Sequence, residues 1–358
     1  MSDWDSIPYI WEPRGPYACD ECGAPHPPKQ CGRCRLAFYC DVSFQRAAFV
    51  PRHRAVCDAT VRSPSLETVL RMASGTGRVG SVLRFLWQDE ALGLRAASRV
   101  CFEAVAAHAW GDCDLRDGKS SHIVGSVGSW RACFPKARTA NIWGNKTVTD
   151  ADFALLEGIH TLNMQGCDQA TITDSAFVHL RGIHSLDIAG CNQATITDAA
   201  FVHLKGIREL VMIGCNQATI TDAAFAHLRG IHTLHMSGCN QVSITDAAFA
   251  HLVGIHTLGV AVCNQATITN AAFAHLTGIH TLYMAGCKAT ITDAAFAHLW
   301  GIHTLDIEDC TQITDAAVEH LRGISVLDIR GCPKIHAVSR KMLWRANKKI
   351  DLTFKARD

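Results

Sequence analysis

The stretch CNQATITDAAFAHLRGIHTLHMSG, Cys215–Gly238, is followed at Cys239 by nearly the same residues in nearly the same order. Its cysteine recurs at Cys167, Cys191, Cys215, Cys239, Cys263, Cys287, Cys310 and Cys332, in five steps of 24 residues, then one of 23 and one of 22. A weaker first copy, ARTANIWGN (137–145), places Asn145 where the others place cysteine. A fixed period of about 20–29 residues marks a solenoid, because one such unit cannot bury its apolar faces alone and must stack on its neighbours.

The unit has an internal order. Leu228, Ile231, Leu234, Met236 and Cys239 follow one another at spacings of three, three, two and three. Leu234 and Met236 alternate, as a short strand with one buried face requires. Asp222, with Thr221 beside it, can cap a short helix over AAFAHL. Phe225 and Leu228 then share the inward side of that helix, and Gly230 can end it in a left-handed conformation.

This order resembles the leucine-rich repeat, LxxLxLxxN/C, and the following ITDAAFAHL resembles its cysteine-containing subtype, found in many F-box proteins. The resemblance covers residues 134–335 and implies an α/β solenoid, a leucine-rich-repeat horseshoe of parallel strands, with residues 336–358 as a C-terminal cap. The cysteine column reads as structural: the side chain points inward at the turn after the strand, where a small donor meets backbone carbonyls, and buried thiols are usually inert.

Comparison between copies shows where the unit changes. The position between the two inward strand residues carries Asn163, Asp187, Val211, His235, Gly259, Tyr283, Asp306 and Asp328. Two residues later stand Gln165, Ala189, Ile213, Ser237, Ala261, Ala285, Glu308 and Arg330. Both positions face out of the sheet on the concave side, since neighbours in a strand alternate. Drift at exposed sites and a partner-binding surface diversified on a constant scaffold both account for them.

Two histidine columns run through the array: His160, His184, His232, His256, His280 and His303 after the repeat isoleucine, and His179, His203, His227, His251, His275, His298 and His320 on the short helix. A ladder of imidazoles can bind metal or respond to mild acid. Duplication of an ancestral unit accounts for both columns without a function.

Before the array lies CDECGAPHPPKQCGRCRLAFYCDVSFQRAAFVPRHRAVC, Cys19–Cys57, with two CxxC pairs, FYC and HxxxC. Each CxxC turn can bring two thiolates onto one zinc ion at tetrahedral geometry. The order and spacing (residues 17–57) resemble the MYND-type zinc finger, which binds two ions in an interleaved fashion. The resemblance implies one structural zinc site from Cys31, Cys34, His53 and Cys57. A second would use Cys19, Cys22 and Cys40 with a cysteine four residues after Cys40. Phe44 stands there, so one or two ions are expected. A Cys₃His shell leaves no open position for substrate. MYND fingers bind short Pro-containing peptides; by position Gln45 and Phe49 would line that groove, with Phe49 where the family usually has tryptophan.

Between finger and array, VLRFLWQDEALGLRAASRVCFEAVAAHAW (82–110) carries apolar residues at helical spacing. Within residues 65–115 it resembles the later part of an F-box, without the usual Leu-Pro opening. The resemblance implies a face for a Skp-type adaptor that includes Leu83, Leu86, Leu92, Leu94 and Val100; a plain helical spacer fits the same pattern.

Composition bounds the rest. The 358 residues are 48% hydrophobic and 19% charged with net charge +1, a balance that points to neither nucleic acid nor an anionic membrane as partner. The N-terminus MSDWDSIPYIWEP has no basic region before an apolar core and is not a signal peptide, so thiols for metal and packing fit an intracellular, cytoplasmic or nuclear chain better than disulfides do. The sequon Asn145-Lys146-Thr147 matters only in a secreted chain. No phosphate loop, nucleophile–base pair or open metal site stands out. The expected function is therefore non-enzymatic: an adaptor for protein partners, as substrate receptor of a cullin-type ubiquitin ligase with its ubiquitination target on the concave face. The alternative is a scaffold or transcriptional-type adaptor recruiting Pro-rich peptides through the finger.

Overall fold

The computed structural model describes residues 29–30, 38–39, 91, 99–108, 122–123, 125–287 and 290–346. The chain divides into two compact units, Met1–Asp112 with Ala132–Ala137, and Cys113–Arg131 with Arg138–Asp358. In the first, β1 (Lys29–Gln30) pairs antiparallel with β2 (Phe38–Tyr39), Lys29 opposite Tyr39. A helix spans Arg99–Ala107, and its Cys101 and Val105, four apart on one face, are fully buried.

The second unit is a leucine-rich-repeat solenoid. Among the described residues its nine parallel strands are β3 (Thr139–Asn141), β4 (Thr161–Asn163), β5 (Ser185–Asp187), β6 (Glu209–Val211), β7 (Thr233–His235), β8 (Thr257–Gly259), β9 (Thr281–Tyr283), β10 (Thr304–Asp306) and β11 (Val326–Asp328). Each strand pairs only with its sequence neighbours, in unbroken order. The register is strict, so Leu210, Leu234 and Leu258 stand opposite one another. The shortened copies keep it: Thr304 pairs with Thr281 and with Val326. Their lost residues fall between the cysteine and the next isoleucine, as in Cys310–Ile313 against Cys239–Ile244.

The core is a set of columns. Leu162, Leu186, Leu210, Leu234, Leu258 and Leu282 are fully buried, and the residue two further on is buried in every copy, as Met212, Met236 or Val260. Behind them stack Phe153, Phe177, Phe201, Phe225, Phe249, Phe273 and Phe296, all buried, with Val318 completing the column. Each such side chain contributes roughly 1.5–3 kcal/mol of transfer free energy.

The short helix differs in one respect from what the sequence suggests. Thr221, not Asp222, is the N-cap: its Oγ1 accepts from Ala223 N at 3.2 Å. Asp222 reaches one repeat on instead, accepting from Thr245 N and Thr245 Oγ1, both at 2.7 Å. The pattern repeats from Asp150 to Asp293. It persists where Asn270 replaces aspartate: Asn270 Oδ1 accepts from Thr292 N and Nδ2 donates to Thr292 Oγ1, both at 2.8 Å. The threonine hydroxyl, otherwise a donor to the ladder, becomes an acceptor there, and Thr292 makes no cap bond of its own.

Two turns close each unit. Gly230 ends the helical segment at φ +83°, with open space around its missing Cβ, so backbone conformation alone requires the glycine. After the strand, Gly238 has φ +70°, and the equivalent places in two copies hold Val262 at +56° and Asp309 at +59°. A β-branched residue there is strained.

Candidate functional site on the outward face of the sheet

Strand pairing places Asn163, Asp187, Val211, His235, Gly259, Tyr283, Asp306 and Asp328 directly opposite one another in one row across the concave face. All seven partner-binding residues expected from the sequence therefore lie together. The same alternation adds a row that sequence reasoning passed over: Thr161, Ser185, Glu209, Thr233, Thr257, Thr281, Thr304 and Val326, the first residue of each strand. Counting two residues back from His235, along the outward register, would have found it. Trp143 follows β3 at the Gln165 level and is 57% exposed.

The face is chemically uneven. At one end Asp187 is only 7% exposed, deeper than an outward position suggests. Its Oδ1 accepts from Ala189 N at 2.9 Å, and burial, with Glu209 nearby, raises its carboxyl above the ordinary range. In the middle, Val211, Ile213, Ser237, Gly259, Ala261 and Ala285 surround His235 and Tyr283. The rings of His235 and Tyr283 lie 6.2 Å apart although a whole strand separates them. Gly259 makes that possible, since a Cβ there would sit 2.7 Å from His235 Nδ1. At the far end, ligating oxygens of Asp306, Glu308 and Asp328 lie within 4.8 Å of one another. Arg330 bridges two of them, at 2.8 Å from Glu308 and 2.6 Å from Asp328. Burial, and then Asp328, raise the Asp306 carboxyl. This trio is the one metal-competent grouping among the described residues, and a guanidinium already neutralises part of it.

The two histidine columns separate in space. Those preceding the strands stack: His232, His256, His280 and His303 lie 4.5, 4.4 and 4.4 Å apart in succession, each with Nδ1 within 3.2 Å of the next threonine's Oγ1. Arg208 interrupts the column before them, and His160 and His184 stand further apart at 5.7 Å. On the helices, Arg181 Nε and Arg229 Nη2 each lie 3.4 Å from a histidine one repeat on, and no ring stacking joins the described ones.

Lost hydration, and then His256 and His303, hold His280 below the ordinary histidine range. Unfolded His280 thus takes up a proton at higher pH than folded His280, and folding stability falls as pH drops below about 6.5. Asp187 and Asp306 act oppositely, but nearer the carboxylate range. The melting temperature should be lower at pH 5.5 than at 7.5, and His280→Gln should shrink the difference. An unchanged difference in that variant would show that the stacked rings do not interact.

The cysteine column is structural in geometry. Cys215 Sγ donates to Ile188 O at 3.1 Å and Cys239 Sγ to Met212 O at 3.0 Å, each one repeat back. Burial pushes both thiols up to about 12, which keeps them protonated and unreactive at neutral pH.

Other expected site residues lie outside the described residues: Cys19, Cys22, Cys31, Cys34, Cys40, His53 and Cys57 of the zinc finger, Gln45 and Phe49 of its groove, and Leu83, Leu86, Leu92 and Leu94 of the adaptor face. Val100 lies within the helix Arg99–Ala107. Among the described residues no helix is long and apolar enough to cross a membrane.

Comparison with known proteins agrees with this architecture. Residues 19–57 match the MYND finger, a zinc-binding domain. Residues 141–256 and 194–325 match the BspA type leucine rich repeat region in 6 copies. No curated protein sequence matches the chain. Among solved structures, the Toll–Spatzle complex of Drosophila is similar at 17% identity and a TM-score of 0.47, over 64% of this chain and 31% of that one. The TLR13–ssRNA13 complex is similar at 18% identity and 0.46, over 57% and 30%. Human 5T4, trophoblast glycoprotein, is similar at 17% and 0.46, over 60% and 85%. The chain thus spans under a third of the two Toll-type chains. With matched repeats over more than half of its length, and nine in-register strands to carry them, the chain belongs to the leucine-rich repeat family.

Proposed function

We propose that the chain is the substrate receptor of a cullin-type ubiquitin ligase, holding its target on the concave face of the repeats. Leucine-rich repeats and MYND fingers are interaction modules, and neither is catalytic. The observation that carries the reading is the contrast within each strand. The leucine column stays constant from Leu162 to Leu327 and the second inward position stays apolar as methionine, isoleucine or valine, while the row from Asn163 to Asp328 mixes amide, acidic, aliphatic and aromatic residues. Concentrated diversity on a rigid, exposed sheet is how recognition is built on a repeat scaffold. The F-box-like segment, with Leu83, Leu86, Leu92, Leu94 and Val100, would hold a Skp-type adaptor by apolar burial.

The finger supports a second reading, a scaffold without ubiquitin chemistry that recruits a Pro-rich partner through Gln45 and Phe49. In both readings zinc is structural. Cys31, Cys34, His53 and Cys57 supply the thiolate and imidazole donors that zinc prefers, while Cys19, Cys22 and Cys40 fall one ligand short at Phe44. Affinity capture of the full chain with a Skp-type adaptor decides between them. Association is expected. No association under conditions where a known F-box protein binds removes the ligase and leaves the scaffold.

A further inference from the structure

The concave face carries a specificity of its own, and the inference here rests on the reading that this face binds protein. Among the three outward rows from β4 to β11 there are five carboxylates, Asp187, Glu209, Asp306, Glu308 and Asp328, against one guanidinium, Arg330, in a chain whose net charge is +1. The acids are not spread evenly. They occupy β5 and β6 at one end and β10 and β11 at the other, and leave β7, β8 and β9 without a carboxylate.

The middle has the features of a receptor for one side chain. His235 on β7 leans across the buried Gly259 toward Tyr283 on β9, and with Tyr283 exposed to 38% and Ile213 to 44% they form an apolar platform. The same copy departs from its siblings once more. Val262 holds a left-handed conformation at φ +56° where glycine is usual, and it is 52% exposed. Strain and an exposed aliphatic group kept in the same copy are a combination expected of a binding site.

Asp187 supplies an independent pointer. It is nine-tenths buried, it accepts one backbone hydrogen bond, and among the described residues no cation pairs with it. A carboxylate so placed is costly unless a positive group reaches it.

We propose that the concave face binds an extended basic peptide segment in which an apolar side chain packs on the His235–Tyr283 pair and a lysine or arginine lies on each side. One cation would reach Asp187 and Glu209, the other Asp306. Strands lie about 4.8 Å apart, so the centre of the platform, above β8, is about 10 Å from Asp306 and about 10–14 Å from Glu209 and Asp187. An extended chain advances about 3.3 Å per residue, which places each cation about three to four residues from the apolar anchor.

The test is a synthetic peptide array probed with the labelled full-length protein, the central residue and the sign and spacing of the flanking charges being varied systematically. Peptides with an apolar centre and lysine or arginine three or four residues to either side should retain the protein best, and retention should fall at least tenfold when those charges become glutamate. Tyr283→Ala, which removes the exposed ring, and Asp306→Asn should each weaken retention by about tenfold, equivalent to about 1.4 kcal/mol. A melting curve checks that both variants remain folded. Enrichment of acidic or charge-indifferent peptides, lost in Tyr283→Ala, overturns the basic-segment inference while the concave face stands as a binding surface. Retention that ignores every concave variant overturns both. No retained peptide overturns the linear basic segment as occupant, and the adaptor capture then judges the wider reading by itself.

Discussion

Phe225→Ala should lower the free energy of unfolding by about 3–5 kcal/mol, the cost of a large-to-small change at a fully packed site. Phe225 is fully buried, as are Phe201 and Phe249 one repeat to either side. The cavity cannot close by a shift of the backbone. Strands on both sides are pinned by hydrogen bonds such as Met212 N to His235 O at 2.7 Å and Met236 N to Gly259 O at 2.8 Å. A repeat array is stabilised mainly by interfaces between neighbours. Damage in the middle copy should therefore also broaden or split the urea transition followed by circular dichroism. Val318→Ala, at the end of the same column and removing a smaller side chain, should cost no more than about 2 kcal/mol. A cost below about 1 kcal/mol at Phe225 would mean that the column is not packed as described.

The second large effect concerns a carboxylate. Asp246→Ala should destabilise the array by about 2–3 kcal/mol, since hydrogen bonds to a charged acceptor are worth about 1.5–3 kcal/mol and the abandoned Thr269 amide is only partly reached by water. Asp246 accepts from Thr269 N and Thr269 Oγ1, both at 2.7 Å. Asp246→Asn should cost much less, because Asn270 already plays this part toward Thr292 with two bonds of 2.8 Å. Urea denaturation of the two variants side by side supplies the measurement. Equal losses in both would show that charge, rather than hydrogen-bond geometry, holds the ladder together.

That carboxylate also marks where sequence reading reached its limit. The period, the inward leucine and methionine columns, the buried Phe225 and the left-handed Gly230 are legible from spacing, because each follows from geometry within a single unit. The role of Asp222 is not, since Thr221 and Asp222 are both ordinary caps. Only the stacking distance shows that Asp222 meets Thr245, 23 residues on. The candidate site divides in the same way. Alternation locates Asn163, Asp187, Val211, His235, Tyr283, Asp306 and Asp328 on one face, but it says nothing about depth, and Asp187 proves nearly buried. The histidine columns share one spacing in the sequence, yet rings stack in the column before the strands and not among the described histidines of the helices. The aromatic pair is legible only across strands: Gly259 matters because His235 and Tyr283 come together over it.

The place where the later copies lose residues has a consequence for how such a molecule can change over generations. Shortening falls behind Cys310, on the path to Ile313, while Thr304, Leu305 and Asp306 stay in step with their neighbours on β9 and β11. Small genetic insertions and deletions at that margin leave the pitch of the outward strand rows untouched. The two faces can thus follow separate histories, one altered by point substitution alone, the other free to be trimmed or padded.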